Sequence, residues 1–172
     1  QRKGSVAAPT AGLHFTQLLI DTLKIQGIQF ASITLHVGLG TFFPVKTPII
    51  EEHQMHSEWY QLNRMTAEMI RETKNNGGRV IAVGTTVVRV LESVYHQHGR
   101  IVEQSGETDI FIYPGFQFQI IDAMITNFHI PRSTLFMLVC AFAGTELMKT
   151  AYQEAIEKRY RFFSFGDATF II

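Results

Sequence analysis

The segment Arg79 to Ser93, RVIAVGTTVVRVLES, contains the residues whose types and spacing most directly suggest chemistry. Its first apolar run is short and β-branched, which predicts a buried strand, and after Gly84-Thr85-Thr86 the apolar residues resume at helical spacing. The first N–H groups of a helix lack partners and its N-terminus is electropositive, so this turn could hold an anionic or hydroxyl-rich ligand. The alternative is an ordinary strand-to-helix connection, with Thr85 or Thr86 as the N-cap.

The other polar residues that stand out lie mostly where strands are predicted to end and helices to begin. They are His14, His36, Thr41, His56, Glu58, Asp109, Asn127, His129 and Asp167. Loops that share one edge of an α/β scaffold commonly form its pocket, so this distribution predicts a polar pocket. A histidine there could act as an acid or base near neutral pH, although a lone histidine is more often structural or exposed to solvent.

Several known binding and catalytic motifs are missing from the sequence. No HExxH motif occurs and the chain has a single cysteine, so no metal site is predicted. Gly38-Leu39-Gly40-Thr41 follows a predicted strand, where α/β folds often bind ligands, but it lacks the third glycine of a dinucleotide fingerprint. Ser57 and Ser133 lie in no G-x-S-x-G context. The residues alone therefore predict a polar pocket for a sugar or nucleoside.

Composition places the chain among globular proteins. Hydrophobic residues make up 46% of the 172 residues and charged residues 17%, which fits one domain with a sizeable core. The 15 basic and 15 acidic residues cancel, so an attraction to RNA would need a local basic patch. Cys140, the one cysteine, lies in an apolar run and is predicted to be a buried thiol rather than part of a disulfide.

The ends and apolar runs of the sequence suggest where the protein lies. No leader sequence is visible and no apolar run approaches the ~20 residues that cross a bilayer, which predicts a cytoplasmic protein without membrane association. The first residues, QRKGSVAAPTAGLHF, lack an initiator methionine and resemble a chain entered midway. A fragment of a longer protein is therefore expected.

Helices and short strands alternate, which predicts an α/β fold: a barrel-like or layered mixed sheet with flanking helices, in a single domain over residues 1–172. Predicted helices lie between Pro9 and Gly27, after a cap at Asn63 or Thr66, over Thr86 to Val94, over Thr134 to Ala143 with Ser133 as N-cap, and from Thr145 or Glu146 to Arg159. Predicted strands cover Ile28 to Val37, Trp59 to Leu62, Val80 to Val83, Thr108 to Ile112, Phe116 to Ile121, Ala123 to Asn127 and the C-terminus. The polar stretch Tyr95 to Glu107 is predicted to be an exposed loop or an irregular ribbon.

Seven blocks, in order along the whole chain, carry a resemblance to a known family. They are GSVAAPTAGLHF (Gly4 to Phe15), LHVGLGTFFPV (Leu35 to Val45), MHSEWY (Met55 to Tyr60), VGTTVVRVLES (Val83 to Ser93), TDIFIYPG (Thr108 to Gly115), TNFHIPRSTLFMLVCAFAG (Thr126 to Gly144) and YRFFSFGDA (Tyr160 to Ala168). These blocks resemble the S-adenosylmethionine:tRNA ribosyltransferase-isomerases of queuosine biosynthesis. The resemblance covers the C-terminal half of a larger two-domain enzyme, without its N-terminal strands and its inserted β-barrel domain.

The resemblance implies a transferase and isomerase that acts on tRNA. Such an enzyme transfers the ribosyl part of S-adenosylmethionine to 7-aminomethyl-7-deazaguanine at the wobble position, forms epoxyqueuosine, and releases adenine and methionine. S-adenosylmethionine is then a substrate, and no separate cofactor is implied. The expected partners are S-adenosylmethionine and the anticodon loop of tRNA, and a monomer is expected.

This chemistry requires a base of moderate pKa, an acid for the departing adenine and groups that bind ribose. For acid and base, His36 and His56 are the first candidates, followed by His14, His129 and Glu58. Substrate contacts are expected from Gly38, Gly40, Thr41, Thr85, Thr86, Arg89, Asp109 and Asn127. Arg89 could instead pair across its own helix.

Contacts with tRNA phosphates would require exposed cations. The available cluster is Arg132, Lys158, Arg159 and Arg161, and the alternative for it is a solvated helix end. Two other functions also remain open. A non-catalytic scaffold or RNA-binding module would bind tRNA without consuming S-adenosylmethionine, and a nucleoside hydrolase would release adenine without tRNA.

Overall fold

A computed structural model describes residues 10–36 and 49–172 of the chain. In these residues the α-helices are α1 (Gln17–Ile25), α2 (Arg64–Asn75), α3 (Thr85–His98), α4 (Thr134–Ala143) and α5 (Thr145–Glu157). The strands are β1 (Thr34–His36), β2 (Glu58–Leu62), β3 (Ile81–Val83), β4 (Gln104–Thr108), β5 (Ala123–Asn127) and β6 (Ala168–Ile171). Two short 3-10 helices, Thr10–His14 and Ile50–Glu52, complete the regular structure of this part of the chain.

The strands form two three-stranded sheets. The first sheet has the order β1-β2-β4 with antiparallel pairing, and its register places His36 opposite Trp59. The second sheet has the order β3-β5-β6, in which β3 and β5 are parallel and β6 is antiparallel to β5. The predicted α/β fold with mixed strand pairing and flanking helices is therefore confirmed.

Helix α3 lies between the two sheets. It contacts β3 and β5 of the second sheet and β4 of the first. Its apolar residues Val88, Val90, Leu91 and Val94 are buried in one hydrophobic core that also contains Leu62 of β2. Polar side chains on this helix can therefore connect both sheets.

Two predicted helix starts are confirmed and a third is wrong. The Asn63 side chain accepts a hydrogen bond from Thr66 N at 2.9 Å, and Ser133 Oγ accepts one from Phe136 N at 3.1 Å. By contrast, α3 has Gly84 as its N-cap and no side chain caps it. Gly84 has a φ of 99°, which glycine adopts without the steric strain of a side chain.

The N-terminal elements are shorter than predicted. The predicted helix between Pro9 and Gly27 is divided, because the first 3-10 helix ends at His14 and Thr16 begins α1 by accepting a hydrogen bond from Leu19 N at 3.2 Å. Of the strand predicted over residues 28–37, the described part forms a strand only at Thr34–His36, and residue 37 lies outside the described residues.

The prediction of a loop or irregular ribbon over Tyr95 to Glu107 is confirmed only for residues 99–103 and is wrong at both ends. Helix α3 continues to His98, and β4 occupies residues 104–108, so the strand predicted at Thr108 to Ile112 begins and ends too late. The sequence of β4, QSGET, has few residues that favour strands, and it becomes one because all five of its residues pair with β2. The predicted strand Phe116 to Ile121 is also wrong, since this segment is irregular.

Cys140 lies in the apolar helix α4, which α5 follows directly. Cys140 is a buried free thiol, as predicted, and burial raises its pKa. In the part of the chain that the structure describes, no single helix is long and apolar enough to cross a membrane. Helices α4 and α5 meet that test only as a pair, and they are bent by 116°.

Candidate functional site

The first polar group is a buried ion pair between β2 and α3. Side chains alternate along β2, so Glu58 and Tyr60 share the face that is buried. Arg89 Nη1 donates a hydrogen bond to Glu58 Oε2, and Arg89 Nε donates one to Ile110 O at 3.2 Å. Both ionic side chains are almost fully buried. Among the described residues, Arg89 Nη2 is buried and has no hydrogen-bond partner.

The energetics of this pair suggest a purpose other than stability. Burial lowers the pKa of Arg89, and the charge of Glu58, its hydrogen bond and the charge of Asp109 oppose that change. A guanidinium nevertheless keeps its proton in proteins. Removing two charges from water costs several kcal/mol per ion, and an Nη2 atom left without a partner adds to this cost. An oxygen atom of a ligand would give this nitrogen an acceptor.

A second buried charge on α3, Glu92, is arranged differently. Its carboxylate accepts hydrogen bonds from the backbone N–H groups of Gln119, Ile120 and Ile121 at 2.9, 3.0 and 3.2 Å. It thereby fixes the irregular segment 116–121 on the helix. Sequence reasoning missed this residue because its partners lie 27 to 29 residues away and are backbone atoms.

The turn Gly84-Thr85-Thr86 lies at the carboxyl ends of the two parallel strands. Gly84 N donates to Ile125 O of β5 at 2.8 Å, which joins the turn to the neighbouring strand. Thr85 is buried and Thr86 is half-buried. Because Thr85 precedes Arg89 by four residues, both side chains lie on the same face of α3. Thr85 and Arg89 thus share one face of a helix whose first turn has no side-chain cap.

Asn127 joins the end of β5 to the first 3-10 helix. Thr10 Oγ1 donates to Asn127 Oδ1 at 3.1 Å, and Asn127 Nδ2 lies 3.1 Å from His14 Nε2 and 3.4 Å from Gly166 O. With the amide nitrogen as the donor, His14 Nε2 is the acceptor of this hydrogen bond. The predicted residues His14 and Asn127 are thus brought together.

His36 lies on the other face of the first sheet. Its ring packs against Trp59 with centroids 4.7 Å apart, and its buried Nε2 has no hydrogen-bond partner among the described residues. Because Glu58 and Trp59 are consecutive in β2, they point to opposite faces. His36 and Glu58 therefore share one end of the sheet but not one face. His56, two residues before Glu58, is exposed.

His129 is in a buried, hydrogen-bonded environment. Its Nε2 lies 3.0 Å from Thr126 Oγ1, and its backbone N–H donates to Tyr152 Oη at 3.0 Å. Burial lowers the pKa of His129 from 6.5 to about 4, and it raises the pKa of Tyr152 to about 12. His129 is therefore neutral at pH 7 and too weakly basic to be an effective general base, which favours a structural role for it.

The remaining predicted substrate-binding residues do not join any of these polar groups through a hydrogen bond that the structure describes. Gly38, Gly40 and Thr41 lie outside the described residues. Asp109 is exposed and acts on Arg89 only through its charge. In the described ranges, no group of three or more His, Cys, Asp or Glu could hold a metal ion.

The structure does not gather all the predicted residues around one cavity. Surface depressions of about 730 Å³ along α5 and about 340 Å³ at the turn 111–116 are lined by none of the predicted catalytic or substrate-binding residues. In the predicted cationic cluster, Lys158 pairs with Glu154 and Arg161 pairs with Asp167. Arg132 and Arg159 are exposed, and neither forms an ion pair with a described residue.

Comparisons with known proteins agree on one family. The family model described as "Queuosine biosynthesis protein" matches residues 1–171. The S-adenosylmethionine:tRNA ribosyltransferase-isomerase of Natranaerobius thermophilus is 63% identical over 171 residues, which cover 99% of this chain and 50% of the relative. The protein of the same name from Thermotoga petrophila is 57% identical over 175 residues, which cover 100% of this chain and 51% of the relative.

A solved structure matches as well. The crystal structure of S-adenosylmethionine tRNA ribosyltransferase from Thermotoga maritima superposes with a TM-score of 0.79 at 50% identity, covering 94% of this chain and 51% of that one. The chain thus spans about half the length of the relatives that it matches. On this sequence and structural evidence, the chain belongs to the family of queuosine biosynthesis proteins, whose compared members carry the name S-adenosylmethionine:tRNA ribosyltransferase-isomerase.

Proposed function

We propose that this chain supplies part of an active site that transfers the ribosyl group of S-adenosylmethionine to 7-aminomethyl-7-deazaguanine at the wobble position of tRNA. The ribosyl group is isomerised to give epoxyqueuosine, and adenine and methionine are released. Membership of the family and the names of the compared relatives support this proposal. Since the chain spans half of those relatives, a full-length family member would complete the site. A reaction on tRNA is also consistent with the predicted cytoplasmic location.

The observation that carries the proposal is the buried Arg89 guanidinium, whose Nη2 atom has no hydrogen-bond partner among the described residues. Glu58 and Ile110 O hold the guanidinium in a fixed position, so it is organised before a substrate arrives. The substrate offers oxygen acceptors in its ribose hydroxyls and its methionine carboxylate. Arg89, with Thr85 one helical turn away, would hold one of these groups.

His36 stays our predicted base, the residue that removes a proton from the substrate. Trp59 fixes its ring, and the Nε2 atom has no partner among the described residues, so this nitrogen is available for a proton. The proton would come from the carbon beside the sulfonium, because the positive sulfur stabilises the carbanion that forms. Elimination from this carbanion breaks the bond between C4′ and the ring oxygen, and the freed oxygen expels adenine, which takes up a proton. The aminomethyl nitrogen attacks the opened sugar, and a sugar oxygen closes the epoxide by displacing methionine from carbon. His14 and His56 stay as predicted acids for the departing adenine.

The test measures adenine release from S-adenosylmethionine, with and without modified tRNA, on this chain and on a full-length family member. Solvent deuterium entering the carbon beside the sulfonium is followed in the same samples. His36→Gln is expected to lower both rates by about 10²- to 10⁴-fold. The exposed His98→Gln, at the end of α3, is the matched control.

Other results would replace the proposal. Adenine release that does not depend on tRNA would indicate a nucleoside hydrolase. Binding of tRNA by the full-length protein without consumption of S-adenosylmethionine would indicate a non-catalytic module. Unchanged deuterium exchange in His36→Gln would remove His36 as the base and leave the reaction itself in place.

A further inference from the structure

The segment Arg161–Asp167 forms a closed loop between α5 and β6. Asp167 Oδ2 accepts a hydrogen bond from Arg161 N at 2.8 Å, Asp167 Oδ1 accepts one from the Arg161 guanidinium at 2.7 Å, and Asp167 N donates to Arg161 O at 2.7 Å. A Cβ atom at Gly166 would lie 2.3 Å from Arg161 O, so only glycine fits there. The loop is therefore closed at its base by interactions that fix its shape.

This closed loop presents two aromatic rings to solvent. Phe163 is 55% exposed and Phe165 is 83% exposed. Phe163 has a φ of 71°, which is strained for a bulky residue, and its N–H donates to Phe128 O at 2.9 Å. A fixed loop that exposes two phenylalanines, one of them in a strained conformation, is unusual unless the rings bind a partner.

Cations lie next to the aromatic residues in the sequence of this segment. The sequence from Lys158 to Phe165 is KRYRFFSF, and Tyr160 is 48% exposed. Since Lys158 and Arg161 are paired with acidic residues, Arg159 is the cation of the segment that no described residue neutralises. The surface thus combines aromatic faces with one free guanidinium. This is the chemistry that binds unpaired nucleotides.

We infer that residues 158–165 bind unpaired bases of RNA, with Phe163 and Phe165 stacking on bases and Arg159 contacting a phosphate. RNA-binding proteins commonly recognise unpaired bases by stacking aromatic side chains on them, whereas the bases within a duplex have no free face. The inference rests on the proposed function for its partner, since the wobble base belongs to an unpaired anticodon loop. Asn127 Nδ2 donates to Gly166 O at 3.4 Å, so the loop adjoins the polar group at the end of β5.

The test uses this chain, residues 1–172, and a labelled anticodon stem–loop RNA, with an RNA duplex of equal length for comparison. Phe163→Leu combined with Phe165→Leu keeps apolar surface but removes both π faces, and is expected to weaken stem–loop binding at least tenfold. The Phe→Tyr double variant keeps the rings and should bind like the parent chain. Phe170→Leu, on β6 and 57% exposed, is the matched control and should also leave affinity unchanged. Arg159→Ala should reduce the slope of log affinity against log salt by about 1.

Several results would overturn the inference. Parent affinity that is equal for stem–loop and duplex, or absent, would exclude base stacking by this surface. Leucine variants that bind RNA normally but bind S-adenosylmethionine weakly would assign the rings to the adenine of the substrate. Leucine and tyrosine variants that bind RNA equally well would indicate plain apolar burial against a protein segment. Because RNA binding is measured in samples without S-adenosylmethionine, and binding of S-adenosylmethionine is measured separately, loss of adenine release alone would count against the proposed function and not against this surface.

Discussion

Two buried charges on helix α3, separated by one turn, have very different surroundings. Glu92 is fully buried, and three backbone N–H groups donate to its carboxylate. Arg89 is also buried, but its Nη2 atom has no hydrogen-bond partner among the described residues. Folding explains Glu92 completely, because the carboxylate exchanges water for a full set of donors. For Arg89, the contacts formed on folding do not fully offset the cost of removing its charge from water.

This difference separates two uses of a buried charge. A satisfied charge fixes one segment on another, as Glu92 fixes the irregular segment 116–121 on α3. On the proposed function, a charge that is held rigidly but left partly unsatisfied, as Arg89 is, would bind a ligand with little loss of order. Substitutions at these positions should therefore separate effects on stability from effects on turnover.

The largest effect is expected at the ion pair. Arg89→Met removes the guanidinium that pairs with the buried Glu58 carboxylate and should lower the free energy of unfolding by about 4 kcal/mol. Combining it with Glu58→Leu removes both charges and should restore most of that stability, since apolar residues of similar size often replace buried pairs at little cost. Urea unfolding of the chain measures both changes.

Turnover should not recover with stability. In a full-length relative with the matching substitutions, the double variant should fold but show no tRNA-dependent adenine release. If the refolded double variant has normal turnover, Arg89 is a structural residue like Glu92, and the contrast between the two charges is lost.

Another buried ionisable side chain, His129, should behave like Glu92, because its ring is hydrogen-bonded to Thr126. Its folded pKa of about 4 is below the ordinary 6.5, so the folded chain binds this proton more weakly than the unfolded chain does. Its contribution to stability is complete above pH 6.5 and is lost as pH falls toward 4. At about 1.36 kcal/mol per pH unit, the loss reaches about 3 kcal/mol.

The measurement is urea unfolding at several pH values between 7 and 4. His129→Gln keeps a side-chain partner for Thr126 and should flatten the fall in stability relative to the parent chain. The exposed His98→Gln is the control. Equal pH dependence in the parent and His129→Gln chains would show that His129 is not buried in its neutral form.

Local sequence signals predicted the elements whose stabilising contacts are themselves local. The Asn63 and Ser133 caps bond backbone groups three residues away, so the sequence contains the complete signal. Strand β4 has no such signal, because its polar residues become a strand only through pairing with β2. The sequence predicted a loop there for this reason.

The site was predictable as a set of residue types but not as a geometry. Arg89 and Glu58 were both identified from the sequence, yet pairing of Arg89 across its own helix is wrong, because its partner is 31 residues away. His36 and Glu58 appeared to converge, but strand alternation places them on opposite faces of the sheet. No local pattern could have identified the partners of Glu92, which are backbone atoms.

A smaller effect is expected from Glu92→Gln. The glutamine amide would direct donors at the N–H groups of residues 119–121, so the unfolding free energy should fall by about 2 kcal/mol. Turnover per folded molecule in a full-length relative should stay unchanged, since Glu92 has no atom left for a substrate. The exposed Glu103→Gln serves as control. A fall in kcat at full folding would make Glu92 a positioning residue for Arg89.

The smallest effect tests the same distinction with two buried threonines. Thr66 Oγ1 donates to Ser32 O at 2.9 Å, so Thr66→Val should cost about 1 kcal/mol of stability and leave turnover unchanged. Thr85 lies one turn before Arg89 on the face proposed for substrate, and Thr85→Val removes only its hydroxyl. It should change stability less than Thr66→Val but lower kcat/KM about tenfold, equivalent to about 1.4 kcal/mol of transition-state binding. Melting temperatures measure the loss of stability in both variants, and steady-state kinetics measure kcat/KM. If both variants lose equal stability and Thr85→Val leaves kcat/KM unchanged, this end of α3 does not contact substrate.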